Sequence, residues 1–189
     1  MTSIVLYGDS MLARFTKTRI DRLEHQAGSG AMVLNCAAGG WTSEDGSRRA
    51  KAVAELAPDV VVLSFGTNDS VPERRVEPDI FAANVHRIVA TFPLAHVLGL
   101  VPPSVMERKG VGPRGRTNSL LAPYRAILRD AVGHDRAIET DRVLASLALS
   151  GAPVHVDDLH LTDDAYDLVI ADMARQIRLL LYRGSPAVS

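Results

Sequence analysis

Residues Ser3-Ile4-Val5-Leu6-Tyr7-Gly8-Asp9-Ser10 run apolar and then stop on Gly-Asp-Ser, just past the first residue of the 189-residue chain. Bulky and β-branched side chains at successive positions suit a strand covered on both faces, the habit of a parallel sheet. Met11, Leu12, Phe15, Ile20 and Leu23 then mark one face of a helix that Ser10 opens. Ser10 is thereby placed at the carboxyl end of a strand and the start of a helix, the edge at which open α/β sheets bind ligands. Taken alone, Gly-Asp-Ser also reads as an ordinary helix cap preceded by a turn residue. The other reading is a nucleophile at a helix N-terminus, where backbone N–H groups stabilise negative charge. The triplet leaves both open.

The same unit recurs along the chain. Gly28-Ser29-Gly30 breaks the first helix, Ala31 to Cys36 reads as a second strand, and Ala37-Ala38-Gly39-Gly40-Trp41-Thr42-Ser43 is a small-residue turn into a helix over about 44–56. Asp59 to Phe65 is the clearest strand; it stops on Gly66-Thr67-Asn68-Asp69 and is followed by a helix over about 79–91. His96 to Val101 is a fourth strand, and the glycine-rich segment Ser104 to Arg116 reads as a mobile loop. A helix over about 117–132 follows, with Pro123 bending it or marking its start. A weak fifth strand near 137–140, a short helix near 143–149 and an amphipathic helix over about 163–182 close the chain. Strand and helix alternate without a linker or a shift in composition. That pattern predicts one α/β domain over residues 1–183, a three-layer sandwich around a mostly parallel five-stranded sheet, with 184–189 a frayed tail. Right-handed crossovers return the chain to one edge, so the turns at Ser10, Gly40 and Asn68 are expected to be spatial neighbours.

Composition narrows the function. Twenty-one Lys and Arg against 22 Asp and Glu leave a net charge of −1, which gives no reason to expect a nucleic-acid partner. No apolar run approaches the roughly 18 residues of a membrane span. The single cysteine, Cys36, excludes an internal disulfide and fits a reducing compartment. With no basic leader ahead of the first strand, the expected location is the cytoplasm. No cluster of His, Cys and carboxylates has metal-ligand spacing, so neither metal nor cofactor is predicted.

Before the closing helix stands Val156-Asp157-Asp158-Leu159-His160-Leu161-Thr162. Thr162 is a good N-cap, and Asp163 and Asp164 suit the first turn. An Asp and a His three apart in such a loop can fold so that the carboxylate accepts from the imidazole Nδ1–H and leaves Nε2 free as a base. Gly-Asp-Ser after strand one, Asn-x4-Gly-x-Thr from Asn35 to Thr42, Gly-x-Asn-Asp from Gly66 to Asp69, and Asp-x-x-His-Leu before the last helix resemble, in order and in place, the four sequence blocks of the SGNH (GDSL-type) serine hydrolases. The resemblance spans nearly the whole chain. It implies a flavodoxin-like fold and hydrolysis of esters or thioesters, with Ser10 as nucleophile, His160 as base and Asp157 as orienting carboxylate. It also implies an oxyanion hole formed by the Ser10 amide, Gly40 and Asn68, with Gly39 the alternative to Gly40. Trp41 stands where a small or acidic residue is more familiar, and either walls the acyl pocket or packs on the rim. The expected activity is a serine esterase acting through an acyl-enzyme on a small-molecule ester, with a short acyl group such as acetyl. Transfer to an alcohol acceptor is one rival, and a non-catalytic anion-binding module on the same fold is another.

Overall fold

The computed structural model describes residues 1–184, and there five strands form one all-parallel sheet: β1 (Thr2–Gly8), β2 (Ala31–Asn35), β3 (Val60–Ser64), β4 (His96–Val101) and β5 (Ala137–Glu139). Their order is β2-β1-β3-β4-β5. Side chains alternate along each strand, and both faces are apolar. Ile4, Leu6, Val60, Val62, Leu98 and Leu100 pack against α2 (Lys17–Ala27) and α8 (Asp163–Gly184) through Leu23, Tyr166, Ile170 and Met173. Val5, Tyr7, Val61, Leu63 and Val97 pack on the other face against α3 (Ser43–Ala54), α4 (Pro78–Ala90) and α5 (Asn118–Val132) through Val53, Phe81, Val85 and Leu128. Each such buried aliphatic side chain contributes roughly 1.5–3 kcal/mol. The result is the three-layer α/β sandwich predicted from the alternation.

The strand order positions the site. From β1 the chain steps outward to β2 on one side, while β3 lies on the other, so the loops leaving β1 and β3 diverge and open a crevice at the carboxyl edge. Gly8 lets the two strands close tightly there. A Cβ at Gly8 would lie 2.2 Å from the Ser64 carbonyl oxygen, and the next residue, Asp9, donates its N–H to that same oxygen at 2.9 Å.

Three elements differ from the sequence reading, and in a fourth, α5, one of two readings of Pro123 is decided. The first helix is broken into α1 (Ser10–Ala13) and α2, with Asp9 rather than Ser10 as its N-cap. The carbonyls freed at the break are caught by side chains: the Asn35 amide donates to Leu12 O at 2.9 Å and Phe15 O at 3.2 Å, and the Tyr166 hydroxyl to Met11 O at 2.9 Å. Helix α5 covers the predicted residues from a Thr117 cap whose Oγ1 accepts from the Leu120 N–H, so Pro123 lies inside it and does not mark its start. The short helix is two pieces, α6 (Thr140–Val143) and α7 (Ala145–Leu149); α6 is anchored by the Thr140 hydroxyl on Val101 O and by Asp141, which accepts the Ser104 N–H at 2.8 Å. Segment 104–116 is pinned rather than loose: Val105 and Asn118 exchange two hydrogen bonds, at 2.8 and 2.9 Å, and the Met106 N–H donates to Asp158 O at 2.9 Å. Helix α8 runs through Gly184; the tail expected at 184–189 otherwise lies outside the described residues.

Candidate active site

The loop after β1 presents Ser10. Asp9 accepts the Met11 N–H on Oδ1 at 2.9 Å, which caps α1 and fixes the turn. Across the crevice, the loop before α8 is closed by the Val156 N–H on His160 O at 2.8 Å and the Thr162 N–H on Val154 O at 2.9 Å. Within it, Asp157 Oδ1 accepts the His160 backbone N–H at 2.7 Å, and Oδ2 lies 2.7 Å from the imidazole Nδ1. Nε2 of the same ring lies 2.9 Å from Ser10 Oγ. An ionised carboxylate can only accept, so Nδ1 carries the proton and Nε2 is left as acceptor for the Ser10 hydroxyl. Partial burial works against ionisation of Asp157, yet the His160 N–H and ring outweigh it and hold the carboxyl below the usual range. Asp158 faces away, in a bidentate pair with Arg108 at 2.6 and 2.7 Å.

The loop after β3 brings Asn68. Asp69, buried at its base, accepts the Ser43 N–H at 2.8 Å and the Gly66 N–H at 3.0 Å, which ties this loop to the start of α3. One amide hydrogen of Asn68 goes to Trp41 O at 2.9 Å, and its Oδ1 accepts from Arg116 Nη2 at 3.0 Å. The second amide hydrogen remains for a ligand. Gly40 and Gly39 also border the cleft, and among the described residues neither gives its N–H to a protein acceptor. They differ in backbone: Gly40 sits at φ 80°, a region that favours glycine, whereas Gly39 does not.

The cleft has a volume of about 610 Å³ and is lined by Ser10, His160, Asp157, Asn68 and Gly40 together with Arg14, Arg74, Arg114 and Arg116. The sequence-derived residues of three distant turns and the closing loop thus meet in one place. Trp41 is set otherwise. Its ring packs edge-on against Tyr7 with centroids 6.2 Å apart, beneath the Arg49 guanidinium, and Trp41 is not among the residues lining the cleft. Among the described residues, no group of three or more His, Cys, Asp and Glu side chains is arranged to hold a metal ion, and no helix is long and apolar enough to cross a membrane.

Residues 6–168 match the model of the GDSL-like lipase/acylhydrolase family. The chain belongs to that family. It is accordingly an ester-hydrolysing enzyme of the SGNH type. None of the curated proteins matches it by sequence. Solved structures of the same fold include the lipase/acylhydrolase from Enterococcus faecalis, at 23% identity and TM-score 0.82 over 95% of this chain and 97% of that one. Est24, a carbohydrate acetylesterase from Sinorhizobium meliloti, aligns at 16% identity and TM-score 0.76 over 95% of this chain and 100% of its own. Axe2, an acetylxylan esterase from Geobacillus stearothermophilus, aligns at 18% identity and TM-score 0.74, covering 93% and 94%.

The arginines are what the sequence reading of this GDSL-family chain missed. Arg74 reads as part of a solvated turn, yet its Nη2 donates to Gly40 O at 3.1 Å. Arg116 ends Gly112-Pro113-Arg114-Gly115-Arg116, a string that looks exposed, yet it is 2% exposed and donates to Thr67 O at 2.7 Å and Pro113 O at 3.0 Å besides Asn68. Nothing local in the sequence marks it. The contact is with residues nearly fifty positions away.

Proposed function

We propose that this protein is a serine esterase that releases a short acyl group such as acetyl through an acyl-enzyme. The observation that carries the proposal is the unbroken chain Asp157, His160, Ser10, at 2.7 and 2.9 Å, opening onto a cleft bordered by unengaged N–H donors. Ser10 Oγ attacks the ester carbonyl carbon as its proton passes to His160 Nε2, and Asp157 holds the tautomer and stabilises the imidazolium that forms. The carbonyl oxygen becomes negative among the N–H of Ser10, the N–H of Gly40 and the second amide hydrogen of Asn68, donors already fixed before reaction. His160 returns its proton to the departing alcohol, leaving acyl-Ser10. Water then enters by the same route, with His160 as base, and frees the acid.

The short acyl group fits a site whose lining, apart from Ala13, Pro113 and Leu159, is glycine or polar. Two proteins that share the fold are named acetylesterases for their own substrates. The test is Ser10→Ala. Because Asp9 caps α1, the change removes a hydroxyl without removing a cap and should cost less than the roughly 1 kcal/mol of a lost N-cap. Hydrolysis of 4-nitrophenyl acetate should fall to background with the melting temperature nearly unchanged, and a fluorophosphonate should label the parent protein at Ser10 alone. Activity retained in the folded variant, or labelling elsewhere, removes Ser10 from the mechanism.

A further inference from the structure

The chain as a whole is almost neutral, with a net charge of −1, yet four arginines and a single carboxylate line the cleft. This local excess is only partly offset nearby. Among the described residues, neither Arg74 nor Arg116 lies within ion-pair distance of any carboxylate, and Arg74 is held only by Gly40 O. Arg114 meets Glu73 at 3.2 Å in a pair exposed on both sides, and such pairs are weak in water. Arg14 approaches Asp157 no closer than 3.7 Å. The crowding has a cost: burial first, then the like charges of Arg114 and Arg74, outweigh the Asp9 and Glu73 carboxylates and push the Arg116 pKa down to about 10. Arg114, at the cleft rim beside Pro113, is also held at φ 56°, where a residue with a side chain is strained. Gathered like charges at the mouth of a concave site focus its field and favour ligands of opposite sign.

Size says which half of the ester carries that sign. A cleft of about 610 Å³ is of the class that encloses drug-sized ligands, and a short acyl group on Ser10 fills little of it. We propose that the alcohol half of the natural ester is anionic: a short-chain ester of an alcohol bearing a carboxylate, phosphate or sulfate that seats on Arg74 and Arg114. This rests on the proposed function, with Ser10 as the acylated residue and a short acyl group.

The experiment separates the two readings by measuring binding apart from chemistry. The Ser10→Ala protein is titrated calorimetrically with 4-acetoxybenzoate and with its neutral match, 4-acetoxybenzamide. Turnover of the same two esters is followed with Ser10 intact. A guanidinium seat for an anion corresponds to about a 10- to 100-fold preference for the carboxylate, in Kd and in kcat/KM. That ratio should shrink as salt is raised and collapse towards one in Arg74→Gln/Arg114→Gln, whereas Arg74→Lys should keep most of it. Equal binding of the two esters, or a ratio indifferent to the paired arginine change, overturns the proposal even if both are hydrolysed through Ser10. A preference confined to 4-nitrophenyl hydrogen succinate over its succinamate, which carry the charge on the acyl half, overturns the placement on the alcohol. Binding preference without hydrolysis of any ester would leave the anion seat standing and sink the hydrolytic reading.

Discussion

Arg116 Nη2 donates to Asn68 Oδ1 at 3.0 Å from a fully enclosed position, while its Nε holds Thr67 O at 2.7 Å. One guanidinium thus fixes both the backbone before Asn68 and the orientation of its amide. An amide can flip, presenting oxygen where nitrogen is needed; a cation on Oδ1 forbids the flip. Arg116→Met retains much of the packing and removes the fork. We expect kcat to fall by about tenfold with KM little changed, the signature of an interaction strengthened in the transition state. Folding stability should drop by about 1–3 kcal/mol, since Thr67 O loses its partner. A normal kcat with only the stability loss would make Arg116 purely structural.

Asn68 itself should matter more. On the proposed mechanism its free amide hydrogen meets an oxygen that gains full charge, so Asn68→Ala should lower kcat by about 100- to 1000-fold at nearly constant KM. Asn68→Asp should be at least as damaging, because it replaces a donor by a repelling charge facing Arg116 on only one side. A lowered melting temperature with unchanged kcat in both variants would assign the residue to its bond with Trp41 O alone.

The two adjacent aspartates before His160 point in opposite directions, and this makes them internal controls. Asp157→Asn should leave the loop folded, favour the wrong imidazole tautomer and depress kcat by about 1000- to 10,000-fold. Asp158→Asn breaks the pair with Arg108, whose side chain is 72% exposed, and exposed pairs contribute about 0–1 kcal/mol. Its kcat should stay within about tenfold of the parent. The reverse ranking in a steady-state assay would mean that the loop functions in a different register.

Much of this could be read from the chain before any coordinates. The central strands announce themselves because a strand buried on both faces is apolar at successive positions, as β3 is from Val60 to Leu63. The turns at Ser10, Gly40 and Asn68 are legible as neighbours because parallel crossovers deliver β-to-α turns to one edge, whereas His160, in the loop between α7 and α8, joins them in sequence only through the family resemblance. What escaped was decided by single side chains reaching across the fold. The break after Ala13 exists because Asn35 and Tyr166 satisfy the carbonyls it frees, and helical periodicity in 11–23 carries no trace of them. Segment 104–116 has the glycine and proline content of a loose loop, yet it is fastened by Asn118, Asp141 and Asp158. Trp41, which in sequence suits either the acyl pocket or the rim, packs its ring edge-on against Tyr7, whose hydroxyl donates to Gly46 O in α3.

Asp9 gives a prediction about stability and pH. It has no solvent exposure, its Oδ1 caps α1, and among the described residues its Oδ2 has no hydrogen-bond partner. Burial is the main reason its pKa is pushed up from 3.8 to about 7; the Met11 N–H opposes this and the nearby Asp69 reinforces it. The folded protein therefore keeps this proton to about pH 7, whereas the unfolded chain releases it near 3.8. The contribution of Asp9 to stability is whole below about pH 4 and is lost as pH rises through 7, the reverse of a salt-bridged carboxylate. Asn at this position keeps the capping oxygen and cannot ionise. The difference in melting temperature between Asp9→Asn and the parent should thus be small at pH 4, grow in favour of the variant through pH 5 and 6, and level off above 7. The rise from 3.8 to about 7, at about 1.4 kcal/mol for each tenfold change in proton affinity, corresponds to roughly 4 kcal/mol, so a plateau of roughly 10 °C is expected for a chain of this length. Asp69, whose carboxyl is also raised by burial, titrates in both proteins, so the difference removes its own burial contribution and retains its coupling to Asp9. Two melting curves that run parallel from pH 4 to 8 would show that Asp9 is already ionised in the folded protein at the acid end, and that its carboxylate finds in solution the compensation its unpartnered oxygen lacks.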